Sequence, residues 1–86
     1  MTTAEKKMPT GDALALVEQL MTAAFDIPRD PRSEAYKIGA REILKCRAMG
    51  ARYHCPYKLG TAEADAFFSG SDEGNQIWRR HVESEA

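Results

Sequence analysis

The pattern of apolar positions predicts a helix in the first third of the chain. Thr10, Gly11 and Asp12 offer a helix start, and Pro28 requires the helix to end before it. Between them, apolar side chains recur three, four and seven residues apart, the spacing of one helix face. They are Leu14, Val17, Leu20, Met21, Ala24 and Phe25. We therefore expect an amphipathic helix over residues 12–26, after a flexible tail at residues 1–9.

A second helix is predicted from residue 33 to residue 50. Either Asp30, followed by Pro31, or Ser33 can cap its start. Two neighbouring apolar stripes run along it. One holds Ala35, Gly39, Ile43, Cys46 and Gly50, and the other holds Tyr36, Ala40 and Leu44. Because glycine inside a helix costs about 1 kcal/mol relative to alanine, Gly39 indicates that another backbone approaches closely there.

The last third predicts one long helix that begins after Thr61, a suitable N-cap, and ends near Val82. Its apolar face holds Ala64, Phe67, Phe68, Ser71, Gly74, Ile77, Trp78 and Val82. Gly70 and Gly74 would allow a break, but the stripe keeps its phase across both, which favours a single helix. The fold class is therefore all-α. We expect one three-helix domain over residues 10–86, with a central antiparallel helical hairpin at residues 31–82 and a narrow glycine waist.

Charge is distributed unevenly along the chain. The 86 residues have a net charge of −1, with 43% hydrophobic and 29% charged residues, as in ordinary globular domains. Residues 32–60 hold seven Lys and Arg against two Glu, whereas residues 61–86 hold two Arg against six acidic residues. Such a dipolar surface can attract partners of either charge. No signal peptide or membrane-length apolar run is present, so we expect a cytoplasmic protein with reduced cysteines and no membrane partner.

The sequence offers little support for metal binding or catalysis. Cys46, His54, Cys55 and His81 lack the regular spacing of zinc ligands. His54 and Cys55 are neighbours in a segment expected to be extended, where adjacent side chains point apart. We therefore expect no metal, no cofactor and no enzymatic activity.

Several motifs of the chain resemble ribosome modulation factor and the small phage-borne and plasmid-borne proteins grouped with it. Tyr36 and Gly39 precede the turn Cys55-Pro56-Tyr57, and an aromatic, glycine-containing helix follows at residues 67–74. The resemblance covers about residues 33–80. It implies a small helical protein that binds the ribosome during hibernation. This chain is acidic in its last segment, where the family is basic.

The leading hypothesis is a non-enzymatic regulator that binds the ribosome or its RNA. Cations would neutralise phosphates, and tyrosines would stack on unpaired bases. The cations are Lys37, Arg41, Lys45, Arg52 and Lys58, and the tyrosines are Tyr53 and Tyr57. A solvated helix face, balanced by the acidic last helix, explains the same cations without function.

The alternative hypothesis is a small phage- or mobile-element-encoded inhibitor of the anti-CRISPR kind. It would block a host nucleoprotein defence complex by protein contact through the acidic last helix. The residues for this contact are Glu63, Asp65, Asp72, Glu73 and Trp78. An exposed apolar stripe on a small core would also allow a homodimer.

Overall fold

The fold, seen in a computed structural model, consists of three α-helices. The structure describes residues 10–28 and 31–85. The helices are α1 (Thr10–Phe25), α2 (Glu34–Met49) and α3 (Ala62–Glu85), and the described residues form no strand. The predicted all-α class is confirmed. The proposed tail at residues 1–9 and the candidate cap Asp30 lie outside the described residues.

Local sequence signals set the ends of α2 and α3. Ser33 is the N-cap of α2, and its hydroxyl accepts a hydrogen bond from the backbone N–H of Tyr36 at 3.2 Å. Gly50 ends α2 in the left-handed conformation, with φ 72°, which glycine adopts at little cost. The hydroxyl of Thr61 accepts from the N–H of Ala64 at 3.2 Å and so caps the start of α3. Ser33, one of the two candidate caps for α2, is therefore the N-cap that the structure describes.

Glycines let the backbones of α2 and α3 touch. A Cβ added at Gly39 would overlap the carbonyl oxygen of Phe67, and one added at Gly70 would overlap that of Tyr36. A Cβ at Gly74 would lie 2.8 Å from a backbone oxygen of α2. α3 continues without a break through both of its glycines. The predicted single helix and its narrow waist are therefore confirmed.

The direction of the hairpin differs from the antiparallel expectation. The first turns of both helices line one groove, in which Ala35 faces Ala62 and Ala66. Near the other end of α2, the Arg47 Nε donates a hydrogen bond to the Asn75 Oδ1 at 3.0 Å. An antiparallel hairpin would instead place Arg47 beside the first turn of α3. The two helices thus run in the same direction, and the segment between them returns along the outside of the pair.

α1 packs against α2 in the opposite direction. The ring of Phe25, at the end of α1, meets the ring of Tyr36 edge-on at 6.2 Å near the start of α2. The core that joins all three helices consists of Ala13, Val17, Met21, Ala40, Leu44, Ala48 and Ile77. Leu14, predicted to be in the apolar face, is 39% exposed. Ala13 takes its place because it lies four and eight residues before Val17 and Met21, on the same ridge of the helix.

Candidate binding surfaces

Residues 51–58, which we call the strap, alternate between inward and outward side chains. Ala51, Tyr53, Cys55 and Tyr57 are half-buried, and Arg52, His54, Pro56 and Lys58 are exposed. Alternation with a period of two is the property of an extended backbone. The segment around the predicted turn Cys55-Pro56-Tyr57 is therefore an extended crossover between α2 and α3, in agreement with the extended geometry expected for His54 and Cys55.

The inward face of the strap packs on Phe67, which is fully buried. The ring of Tyr53 lies 5.6 Å and that of Tyr57 lies 6.1 Å from the Phe67 ring, measured between centroids. The Tyr53 hydroxyl also lies 2.7 Å from the Ser71 hydroxyl. Tyr53 and Tyr57 thus belong to the packing of the strap, whereas the predicted stacking on bases requires rings that are open to solvent.

The outward face carries Arg52, His54 and Lys58. Ion pairs in the described part of the chain join Arg41 to Glu18 and Lys45 to Glu42. None of the three strap side chains has a hydrogen-bond or ion-pair partner among the described residues. Their charges and donors are therefore directed to solvent. The alternation of polar and apolar residues that produces this arrangement can be recognised in the sequence of the segment.

The predicted basic ridge of α2 faces α1 along part of its length. The Arg41 Nε lies 2.9 Å from the Glu18 Oε2, and a polar groove between the helices is lined by Lys37, Arg41, Glu18 and Asp26. The Lys45 Nζ lies 3.4 Å from the Glu42 Oε2 on the same helix. Arg41 and Lys45 therefore have acidic neighbours, whereas no such neighbour of the strap cations is found among the described residues. Of the seven predicted nucleic-acid-binding residues, Tyr53 and Tyr57 thus pack on Phe67 and Arg41 pairs with Glu18, whereas Arg52 and Lys58 face solvent.

The predicted acidic surface of α3 is also divided. Glu63, Asp65 and Asp72 are exposed. Glu73 instead accepts a hydrogen bond from the Tyr36 hydroxyl at 2.6 Å, which ties α3 to α2. Trp78 is half-buried and packs against the core. Only the first three therefore remain fully available to a partner.

Two large apolar side chains expected in the core of α3 lie on its surface. Phe68 is 40% exposed and Val82 is 47% exposed. Asn75 lies midway between them in sequence. Asn75 and Val82 line a surface groove together with Arg47 and Trp78.

The described residues contain no group of three or more histidine, cysteine or acidic side chains that could hold a metal ion. Cys46 and Cys55 are free and half-buried, and the Cys55 thiol donates to the backbone oxygen of Tyr57 at 3.6 Å. None of the described helices has the length and apolar character needed to cross a membrane.

Comparison of the chain with protein-family models, curated proteins and solved structures finds no significant match to any of them. The function is therefore inferred from the surfaces described above.

Proposed function

We propose that this protein is a non-enzymatic regulator that binds ribosomal RNA through the outward face of the strap. One observation carries the proposal: Arg52, His54 and Lys58 point to solvent from one extended segment without acidic partners among the described residues. The motif resemblance to ribosome modulation factor supplies the class of partner. The basic ridge of α2 is less suited to this role, because Glu18 already pairs with Arg41.

The geometry of the strap suits an extended phosphate backbone. Lys58 lies six positions after Arg52, which corresponds to about 20 Å in an extended chain. Two cations at that distance neutralise separate phosphates, and His54 between them supplies a hydrogen-bond donor. The strap is already held in place through Tyr53 and Tyr57, so binding does not have to order it.

The test measures binding to purified ribosomes by co-sedimentation and to fragments of ribosomal RNA by fluorescence anisotropy, across a range of salt concentrations. The double variant Arg52→Gln/Lys58→Gln should bind about tenfold more weakly or worse. It should also lower the slope of log affinity against log salt by roughly 1.4, because each phosphate that a cation neutralises on a single strand accounts for about 0.7.

The matched control is Lys37→Gln/Lys45→Gln, which removes the same charge from the ridge of α2. We expect this variant to bind RNA almost as well as the wild-type protein. Loss of binding in the control but not in the strap variant would assign RNA binding to the ridge and contradict the proposal. Circular dichroism of both variants verifies that the helices are retained.

A second candidate function is inhibition of a host nucleoprotein complex by protein contact. The observation that favours it is the exposure of Glu63, Asp65 and Asp72 on α3. If this surface acts, Glu63→Gln/Asp65→Asn should abolish capture of a host complex from nuclease-treated lysate, and the strap variant should retain it. Capture that disappears after nuclease treatment would instead support RNA binding.

A further inference from the structure

An exposed stripe on α3 repeats every seven residues. Its members are Phe68, Asn75 and Val82. Phe68 is 40% exposed, Val82 is 47% exposed and Asn75 is half-buried. Seven residues are close to two helical turns, so the three side chains lie almost above one another on one side of the helix. This side of α3 carries two large apolar groups outside the core.

The stripe has the arrangement of a two-fold interface. Phe68 and Val82 lie seven residues before and after Asn75, so the pattern is symmetric in position about Asn75. We propose that α3 pairs with α3 of a second copy of this chain, antiparallel, with the two-fold axis at Asn75. Each Phe68 then packs against Val82 of the other copy, and the two Asn75 side chains meet at the axis.

Charge complementarity selects the antiparallel direction. Asp72 and Arg79 are exposed, and they lie three residues before and four residues after Asn75, beside the stripe. In the antiparallel pair, Asp72 of each copy comes next to Arg79 of the other, which forms two opposite-charge contacts. Asp72 and Arg79 lie on the same flank of the stripe, and a parallel pair would place this flank on opposite edges of the interface in the two copies, so that neither contact would form.

The groove next to the stripe supplies a receptor for the exposed ring. Arg47, Trp78 and Val82 line it, and Trp78 is half-buried against the core. The Phe68 ring of the second copy reaches this groove when it packs against Val82. An aromatic ring seated between Trp78 and an arginine has favourable stacking and cation–π contacts. The same helix thus offers both the inserted group and its receptor, as an interface between identical copies requires.

Charge exchange tests the interface in the full chain without RNA. Sedimentation equilibrium over a wide range of protein concentrations should show a reversible dimer. Asp72→Arg alone and Arg79→Asp alone should each weaken association on the order of tenfold, because each creates two like-charge contacts. The double variant should recover the wild-type association, since the pairs are restored with their charges exchanged. A double variant as weak as the single ones, or a wild-type protein that stays monomeric, would overturn the proposal.

Cysteine cross-linking locates the axis independently. In a Cys46→Ser/Cys55→Ser background, Asn75→Cys should form an intermolecular disulfide under mild oxidation, because the two positions meet at the axis. Ser69→Cys is the matched control on an exposed position of the same helix. Its two copies would lie about 18 Å apart along the helix axes, beyond the reach of a disulfide. Equal cross-linking at both positions would contradict the antiparallel register. Neither measurement involves RNA, so the result is independent of the proposed function.

Discussion

Replacing Gly39 by alanine inserts one methyl group between the backbones of α2 and α3. In a solvent-exposed helix interior the same change stabilises by about 1 kcal/mol, because alanine is the better helix former. Here the added Cβ would overlap the carbonyl oxygen of Phe67 and lie 2.8 Å from its carbonyl carbon. Backbone atoms cannot rotate away as the end of a flexible side chain can. We therefore expect the sign of the effect to reverse.

The loss of stability in Gly39→Ala can be estimated from the separation of α2 and α3 that the added methyl group requires. Relief of the overlap requires the helices to separate, and overpacking of this kind costs about 1–3 kcal/mol. The Ser71 hydroxyl shares its single proton between the carbonyl oxygens of Gly39 at 3.2 Å and Phe67 at 3.0 Å, so the loss of its contact with Gly39 adds about 1 kcal/mol at most. After the gain in helix propensity is subtracted, we expect Gly39→Ala to lower the free energy of unfolding by about 1–3 kcal/mol. That is a large part of the 5–15 kcal/mol typical of natural domains.

Urea denaturation followed by circular dichroism measures this change. With a slope of about 1 kcal/mol per molar urea, the midpoint should fall by about 1–3 M. The control is Gly11→Ala in α1, where no heavy atom lies within 4 Å of the added Cβ and stability should stay the same or rise. A Gly39→Ala protein that unfolds at or above the wild-type midpoint would refute the backbone contact.

Three further changes test other parts of the fold by the same denaturation assay. Phe67→Ala should lower the free energy of unfolding by about 3–5 kcal/mol, because that ring is fully buried. The adjacent Phe68→Ala should lower it by less than about 1.5 kcal/mol in the monomer, because its side chain is 40% exposed. Equal losses would contradict the orientation of α3. Tyr53→Phe should lose about 1 kcal/mol with its hydrogen bond, and an unchanged midpoint would mean that the strap is not anchored there. Arg41→Gln should change stability by less than about 1 kcal/mol, because its pair with Glu18 lies at the surface, with the two side chains 34% and 57% exposed; a larger loss would contradict that expectation.

The helices and their glycine contact could be predicted from sequence because both depend on local rules. Ser33, Gly50 and Thr61 have the cap chemistry that sets helix ends. The apolar stripe of α3 keeps its phase through Gly70 and Gly74, so a single helix is the consistent interpretation. These inferences require only the spacing of residues within one element.

The relative direction of α2 and α3 could not be obtained in the same way. An apolar face indicates which side of a helix is buried, and it is the same for parallel and antiparallel partners. The relevant signal lies in the connection, which spans residues 50–61 and exceeds the usual length between antiparallel neighbours. Its alternation, with Tyr53 and Tyr57 inward and Arg52 and Lys58 outward, is the pattern of an extended crossover.

The binding surfaces were only partly predictable for a related reason. Lys37 and Arg41 form a ridge on an isolated α2, but the position of α1 decides how much of that ridge remains free. Glu73 is one of four acidic residues predicted on α3, yet it is half-buried and accepts a hydrogen bond from the Tyr36 hydroxyl of α2. Such outcomes depend on tertiary contacts that a one-dimensional charge pattern does not contain.

In the strap, whether a side chain faces solvent or the helices depends on whether its residue number is even or odd. Even-numbered residues from Arg52 to Lys58 face solvent, and odd-numbered ones from Ala51 to Tyr57 face the helices. Inserting or deleting a single residue within the strap would exchange the two sets downstream, so that cations would be directed at Phe67 and tyrosines at water. Inserting or deleting two residues would keep each downstream side chain on its present face and change only the length of the connection. Variation in the length of this segment is therefore compatible with the fold in even steps only.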